Sequence, residues 1–167
     1  MSAILETWLV PWPDEAACAR SAGSLAARPG LGDAFVELHG PLGAGKTTFV
    51  RHLLRALGVE GRVKSPTYAL MEVYEAGAGH GGFAIAHFDF YRFDDAQEWE
   101  DAGFREVFAG AGLKLVEWPE KAAALLPRCD LRLTIAPRDV DDGGDGAVPA
   151  RDARFEALSA RGVALLR

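Results

Sequence analysis

The residues with the most chemical content lie together in Gly40-Pro41-Leu42-Gly43-Ala44-Gly45-Lys46-Thr47-Thr48. Gly40, Gly45, Lys46 and Thr47 satisfy the phosphate-binding pattern G-x-x-x-x-G-K-[ST]. Each residue type has a task. Glycines let the backbone curl so that successive N–H groups converge on anionic oxygens. Lys46 brings a compact positive charge to the β- and γ-phosphates of a nucleotide, and the Thr47 hydroxyl is a ligand for the accompanying Mg²⁺. A helix that begins at the loop adds the positive end of its dipole. A glycine-rich strand-to-helix turn that binds nothing would need neither Lys46 nor Thr47.

Mg²⁺ on a triphosphate requires oxygen ligands beyond one hydroxyl. Proteins with such loops place an acidic residue at the end of an apolar strand beside the loop strand. Asp89 follows the run Phe83–Phe88, and Glu117 follows Leu113–Val116. Strand ends gather at the sheet edge where ligands bind, so both can converge on the phosphates. The alternative for Glu117 is a solvated carboxylate at a strand terminus. For Asp89 it is a helix cap or an ion pair with Arg92. Ser65-Pro66-Thr67-Tyr68 comes shortly after the loop helix, where nucleotide switches carry a hydroxyl that senses the γ-phosphate. Thr67 near the metal and an ordinary loop entering a strand are equally good readings. Trp118 could cover the nucleotide site or pack in the core, core packing being the better reading of a lone Trp, and His87 reads as a packed strand histidine rather than a base. No Ser-His-Asp, Cys-His or His-metal arrangement is apparent.

The elements that must hold these groups are legible from pattern. Ala34–His39 is a short β-favouring run ending at Gly40. Phe49, Val50, Leu53, Leu54 and Leu57 recur at helical spacing until Gly58 stops them. Asp14 caps an Ala-rich helix running through Ala27. Residues 70–74 and 83–88 flank a Gly-rich turn and predict an antiparallel hairpin. Helical segments over 94–108, broken near Gly103, lead to a strand at 113–116. Pro119 opens a further helix, and 131–135 forms another strand. The Asp- and Gly-rich stretch 137–150 predicts a mobile loop. Strands alternating with helices imply a P-loop NTPase-like α/β three-layer sandwich, with a mostly parallel central sheet and an antiparallel hairpin.

The chain has 167 residues, enough for one domain with a sizeable core, and is expected to be a single domain over 1–167. A net charge of −6 argues against a free-standing nucleic-acid binder, and Arg51, Arg55, Arg62 and Lys64 read as a solvated surface. No apolar run suits a membrane span, no signal peptide is indicated, and Cys18 and Cys129 lack metal-ligand spacing. A cytoplasmic protein with reduced thiols is expected. The chain contains no Asn, so the Asn-Lys-x-Asp guanine reader of GTPases is absent and ATP is the expected nucleotide. The loop at 139–149 lacks Arg, which weakens a small-molecule kinase without removing it. A nucleotide-dependent binding module with negligible turnover is the other alternative.

Four motifs in order carry a family resemblance: the loop from Gly40 to Thr48, Val63-Lys64-Ser65-Pro66-Thr67-Tyr68, His87-Phe88-Asp89-x-Tyr91-Arg92, and Glu117-Trp118. Together they resemble the TsaE family, bacterial P-loop ATPases required for N6-threonylcarbamoyladenosine in tRNA. The resemblance implies binding of ATP and Mg²⁺, weak ATPase activity alone, and work on the TsaD and TsaB proteins to support their turnover. The tRNA would be reached only through that complex. It also implies that Thr47 and Glu117 are the Mg²⁺ ligands, and that Gly43, Ala44, Gly45, Lys46, Thr47 and Thr48 form the phosphate cradle. Lys46, Asp89, Glu117 and Thr67 would carry the catalytic roles. Glu15 matches a nucleotide-contacting position near the family N-terminus. Arg151 is the candidate for a late basic residue that touches nucleotide.

Overall fold

A computed structural model describes residues 3–66, 68–138 and 150–167. Seven strands are described: β1 (Glu6–Trp12), β2 (Phe35–His39), β3 (Met71–Glu75), β4 (Ala84–Asp89), β5 (Leu113–Glu117), β6 (Leu131–Pro137) and β7 (Arg151–Ala157). They form one sheet in the order β1-β7-β6-β2-β5-β4-β3. Its centre, β6-β2-β5-β4, is parallel, and both edges are antiparallel. The expected hairpin is β3 with β4, and β6-β7-β1 forms a second antiparallel edge that the sequence reading did not separate from the centre.

Burial explains the difference. Every residue of β5 is buried, as a strand covered on both faces must be. In β7, Ala153, Phe155 and Ala157 turn inward while Asp152 and Arg154 stay exposed, the alternation of a strand wetted on one side, which ends at buried Glu156.

Five helices complete the described chain: α1 (Glu15–Ala26), α2 (Lys46–Ala56), α3 (Ala96–Asp101), α4 (Phe104–Ala109) and α5 (Ala160–Leu166). Asp14 caps α1 as expected, accepting the Ala17 N–H at 2.8 Å. Helices α1 and α2 cover one face, where Trp12 stacks on Phe49 at 5.7 Å above Val36, Leu38 and Leu115. On the opposite face α3 and α4 join Phe88, Phe90, Trp99 and Phe104 in an aromatic cluster. Gly103, at φ 71, makes the expected break between α3 and α4.

Three local expectations change. The helix after Pro119 is a single 3₁₀ turn, Pro119–Ala122, followed by turn residues up to Leu125. Pro137 belongs to β6, and the Arg138 N–H donates to the Ala150 carbonyl at 2.8 Å, so both ends of the stretch 137–150 are part of the β6–β7 pairing. Residues 139–149, the rest of the expected mobile loop, lie outside the described residues. Finally, α5 follows β7 and buries Leu165 and Leu166, whose short run gave too little periodicity to read.

Cys18 and Cys129 are free and buried. Burial pushes their thiols up to about 11 and about 12, so both stay protonated at neutral pH, as structural thiols do. Among the described residues no helix is long and apolar enough to cross a membrane.

Candidate nucleotide-binding site

The parallel centre sets the site. Asp89 and Glu117 are paired in register, and Glu117 also lies opposite Leu38, near the end of β2 from which the glycine loop departs. One cleft of about 370 Å³ collects Gly43 to Thr48, Ser65, Asp89, Glu117 and Arg151.

The loop is built by its glycines. Gly40, Gly43 and Gly45 have φ of 148°, 78° and 105°. A Cβ on Gly40 would sit 2.5 Å from the Ile135 carbonyl oxygen, which is backbone and cannot move aside cheaply. Gly40→Ala is therefore expected to lower stability by about 1–3 kcal/mol, the cost of a strained conformation, before any clash is relieved. Urea denaturation checks this, and a variant as stable as wild type would show that the loop relaxes freely.

The chain fits an anionic ligand here. Helix α2 starts at Gly45 with no side-chain cap, so its first N–H groups face the cleft without a side-chain acceptor. Buried Lys46 donates through Nζ to the Gly40 carbonyl and, at 3.2 Å, to that of Pro41. Burial lowers its pKa, while the charges of Glu117, Glu120 and Asp89 act in the opposite sense.

The hydroxyl of Thr47 donates to Glu117 Oε1 at 2.9 Å, and Glu117 is buried. That excludes the solvated-terminus alternative for Glu117. A hydroxyl and a carboxylate in contact, both hard oxygen donors, suit Mg²⁺, which takes few protein ligands and leaves positions for water and phosphate. Among the described residues no group of three or more His, Cys, Asp or Glu is placed to enclose a metal by itself. Asp89 is buried on the cleft wall and accepts the Tyr91 N–H at 2.9 Å. The neighbouring helix α3 is capped by Asp95 instead, so Asp89 is not its cap. Arg151, at the start of β7, donates through Nη2 to the Gly43 carbonyl at 3.2 Å.

One expected residue is not gathered there, and another is not described. Glu15 lies in the first turn of α1, where it pairs with His52 at 2.9 Å, and is not among the cleft's lining residues. Thr67 lies outside the described residues.

Sequence reasoning ranked one partner second and missed another. Trp118 is not simply core: its ring lines the cleft, with Lys46 Nζ 3.8 Å from the centroid. A left-handed backbone, φ 55°, sets Trp118 at the sharp turn out of β5. His87 is fully buried and its Nε2 lies 2.6 Å from Glu117 Oε2. The period-two pleat, which puts His87 and Asp89 on one side of β4, was the available signal.

A mixed sheet with a parallel centre, the glycine loop between β2 and α2, and Thr47 on Glu117 at the end of β5 define a P-loop α/β protein. The family model for "Threonylcarbamoyl adenosine biosynthesis protein TsaE" matches residues 12–143. Among similar proteins, the tRNA threonylcarbamoyladenosine biosynthesis protein TsaE of Bacillus subtilis is 34% identical over 151 residues, 90% of this chain and 89% of that one. The protein of the same name from Haemophilus influenzae is 45% identical over 100 residues, 60% of this chain and 61% of its own length. The crystal structure of Bacillus subtilis YdiB superimposes with a TM-score of 0.75 at 26% identity, covering 99% of this chain and 95% of that one. The chain belongs to the TsaE family.

Proposed function

We propose that this protein binds ATP with Mg²⁺ and hydrolyses it slowly, in the cytoplasm, to support formation of threonylcarbamoyladenosine in tRNA by TsaD and TsaB. The observation that carries the reading is the contact of the Thr47 hydroxyl with buried Glu117, beside Lys46, at the mouth of the glycine loop. Family membership supplies the biological setting.

In this reading Gly43 to Thr48 hold the phosphates through backbone N–H groups, and Lys46 places its charge against the β- and γ-phosphates. Thr47 and Glu117 would hold the metal, which when bound neutralises charge on the transferring group. Asp89, on the same cleft wall, orients the attacking water. Arg151 meets the nucleotide at the Gly43 side of the loop. Arg92, the other arginine of the cleft wall, is stacked on Tyr68 at 4.7 Å. Among the described residues no arginine finger is evident in cis, and such a group is worth about 10³–10⁵ in rate, so slow turnover alone and acceleration by a partner are expected.

The test is Mg²⁺-dependent phosphate release from ATP, by this protein alone and with a purified TsaD–TsaB pair. Slow release that the pair clearly stimulates is the expected result. Tight ATP binding without stimulation would remove the partner assignment, and label transferred to a small-molecule acceptor would replace hydrolysis with kinase chemistry.

A further inference from the structure

His87 is fully buried, yet it is not simply packed. Its Nε2 lies 2.6 Å from Glu117 Oε2, while the other oxygen, Oε1, accepts from Thr47 at 2.9 Å. The carboxylate is thus held at both ends, by groups from two different elements, β4 and α2. Among the described residues His87 Nδ1 has no hydrogen-bond partner. That assigns the tautomer: an ionised carboxylate only accepts, so Nε2 carries the proton and Nδ1 is left as a bare lone pair. The opposite tautomer would face two acceptors across 2.6 Å and bury an unpaired N–H.

We infer that His87 is a positioning residue for Glu117. By occupying Oε2 it fixes the plane of the carboxylate, so that Oε1, the oxygen beside Thr47, is the one offered to a metal. This rests on the ATP–Mg²⁺ reading above. Donors that orient a ligating carboxylate act on metal affinity rather than on contacts to the rest of the ligand. Recognition of the phosphates by loop backbone and Lys46 involves no atom of His87. The effect of losing the donor is therefore confined to the Mg²⁺-dependent part of nucleotide binding.

The test uses the full chain with a fluorescent ATP analogue, titrated with Mg²⁺ and, separately, in EDTA. His87→Leu keeps bulk and removes the donor. It is expected to raise the half-saturating Mg²⁺ concentration about 10–100-fold, while affinity in EDTA stays within about twofold of wild type. His87→Gln, which retains a side-chain N–H, is expected to restore most of the loss. Unchanged Mg²⁺ dependence in His87→Leu, or equal losses with and without Mg²⁺, would overturn the proposal. A measurement on the unaltered protein decides the matter even where that variant does not fold. Nitrogen NMR of labelled histidine should show His87 as the neutral Nε2–H tautomer, and its signal should move when Mg²⁺ joins the nucleotide complex. A signal indifferent to Mg²⁺, in a protein whose nucleotide affinity does respond to it, overturns the role of His87 alone. No response of wild-type affinity to Mg²⁺ overturns the ATP–Mg²⁺ reading, and this inference with it.

Discussion

Replacing Lys46 by alanine is expected to weaken ATP binding by about 10²-fold and to reduce phosphate release below detection. The reasoning starts from where the ammonium sits. Lys46 is buried, its donors are on the Gly40 and Pro41 carbonyls, and one side of it faces the Trp118 ring. It is thus already inside the cleft, at the loop, and a phosphate oxygen needs only to compete with neutral carbonyls for it. Hydrogen bonds to a charged group are worth about 1.5–3 kcal/mol, so losing one or two of them accounts for the affinity. Groups aimed at charge that develops in the transition state contribute about 10²–10³ in rate on top of that. Lys46→Arg is expected to fail as well, since a planar fork does not fit where a compact ammonium sits between carbonyls and an indole face. Equilibrium binding of a fluorescent ATP analogue and single-turnover phosphate release check both halves. Affinity in Lys46→Ala within about twofold of wild type would mean that the backbone cradle alone holds the ligand.

The site was legible in unequal parts, and the reasons are physical. The glycine loop is local: its residue types are fixed by backbone conformation and ligand chemistry over nine consecutive positions, Gly40 to Thr48. Glu117 and Asp89 could be found because a parallel strand delivers its last residue to the same sheet edge as its neighbour, and Asp89 and Glu117 are indeed opposite each other. His87 and Trp118 could not be found this way. A histidine inside an apolar strand and a tryptophan after one look the same whether they face a core or a carboxylate. Only the register of β4 against β5, and the left-handed backbone at Trp118, decide between the two. The same limit applies to the sheet. Alternation along β7 was visible in principle, but which neighbour it pairs with depends on the β6–β7 connection. Arg151 shows the gain from topology. It is 108 residues from Gly43 in sequence, and the antiparallel return of β7 brings it to that carbonyl. Glu15 shows the reverse: its pairing with His52 joins α1 to α2, beside the loop helix rather than in the cleft.

Glu117→Gln is expected to separate nucleotide binding from its Mg²⁺ dependence. The substitution preserves shape, and the amide oxygen can still accept from Thr47 Oγ1 in place of Oε1. The other end conflicts. An amide N–H₂ would face the Nε2–H of His87, donor against donor, across a gap of 2.6 Å in the unaltered protein. The conflict can be relieved by moving the imidazole proton to Nδ1, where the described structure offers no acceptor. An unsatisfied buried N–H costs about 1–3 kcal/mol, so a measurable loss of stability accompanies the change even though no atom is deleted. At the metal the loss is larger in kind, because a neutral amide replaces the carboxylate that sits on Thr47, and hard divalent cations favour ionised oxygen. Affinity for ATP in EDTA should then match wild type, since loop and Lys46 are untouched. The gain in affinity on adding Mg²⁺ should disappear, and phosphate release should fall by about 10²–10³, the worth of one electrostatic contact to the reacting group. A double variant with His87→Leu removes the donor conflict but not the missing charge. It also leaves the buried amide N–H₂ without an acceptor, so no recovery of stability relative to Glu117→Gln alone is expected, and Mg²⁺ dependence stays lost. Normal hydrolysis at low Mg²⁺ in Glu117→Gln would move the metal ligand to Asp89, the only other buried carboxylate among the described residues of this cleft.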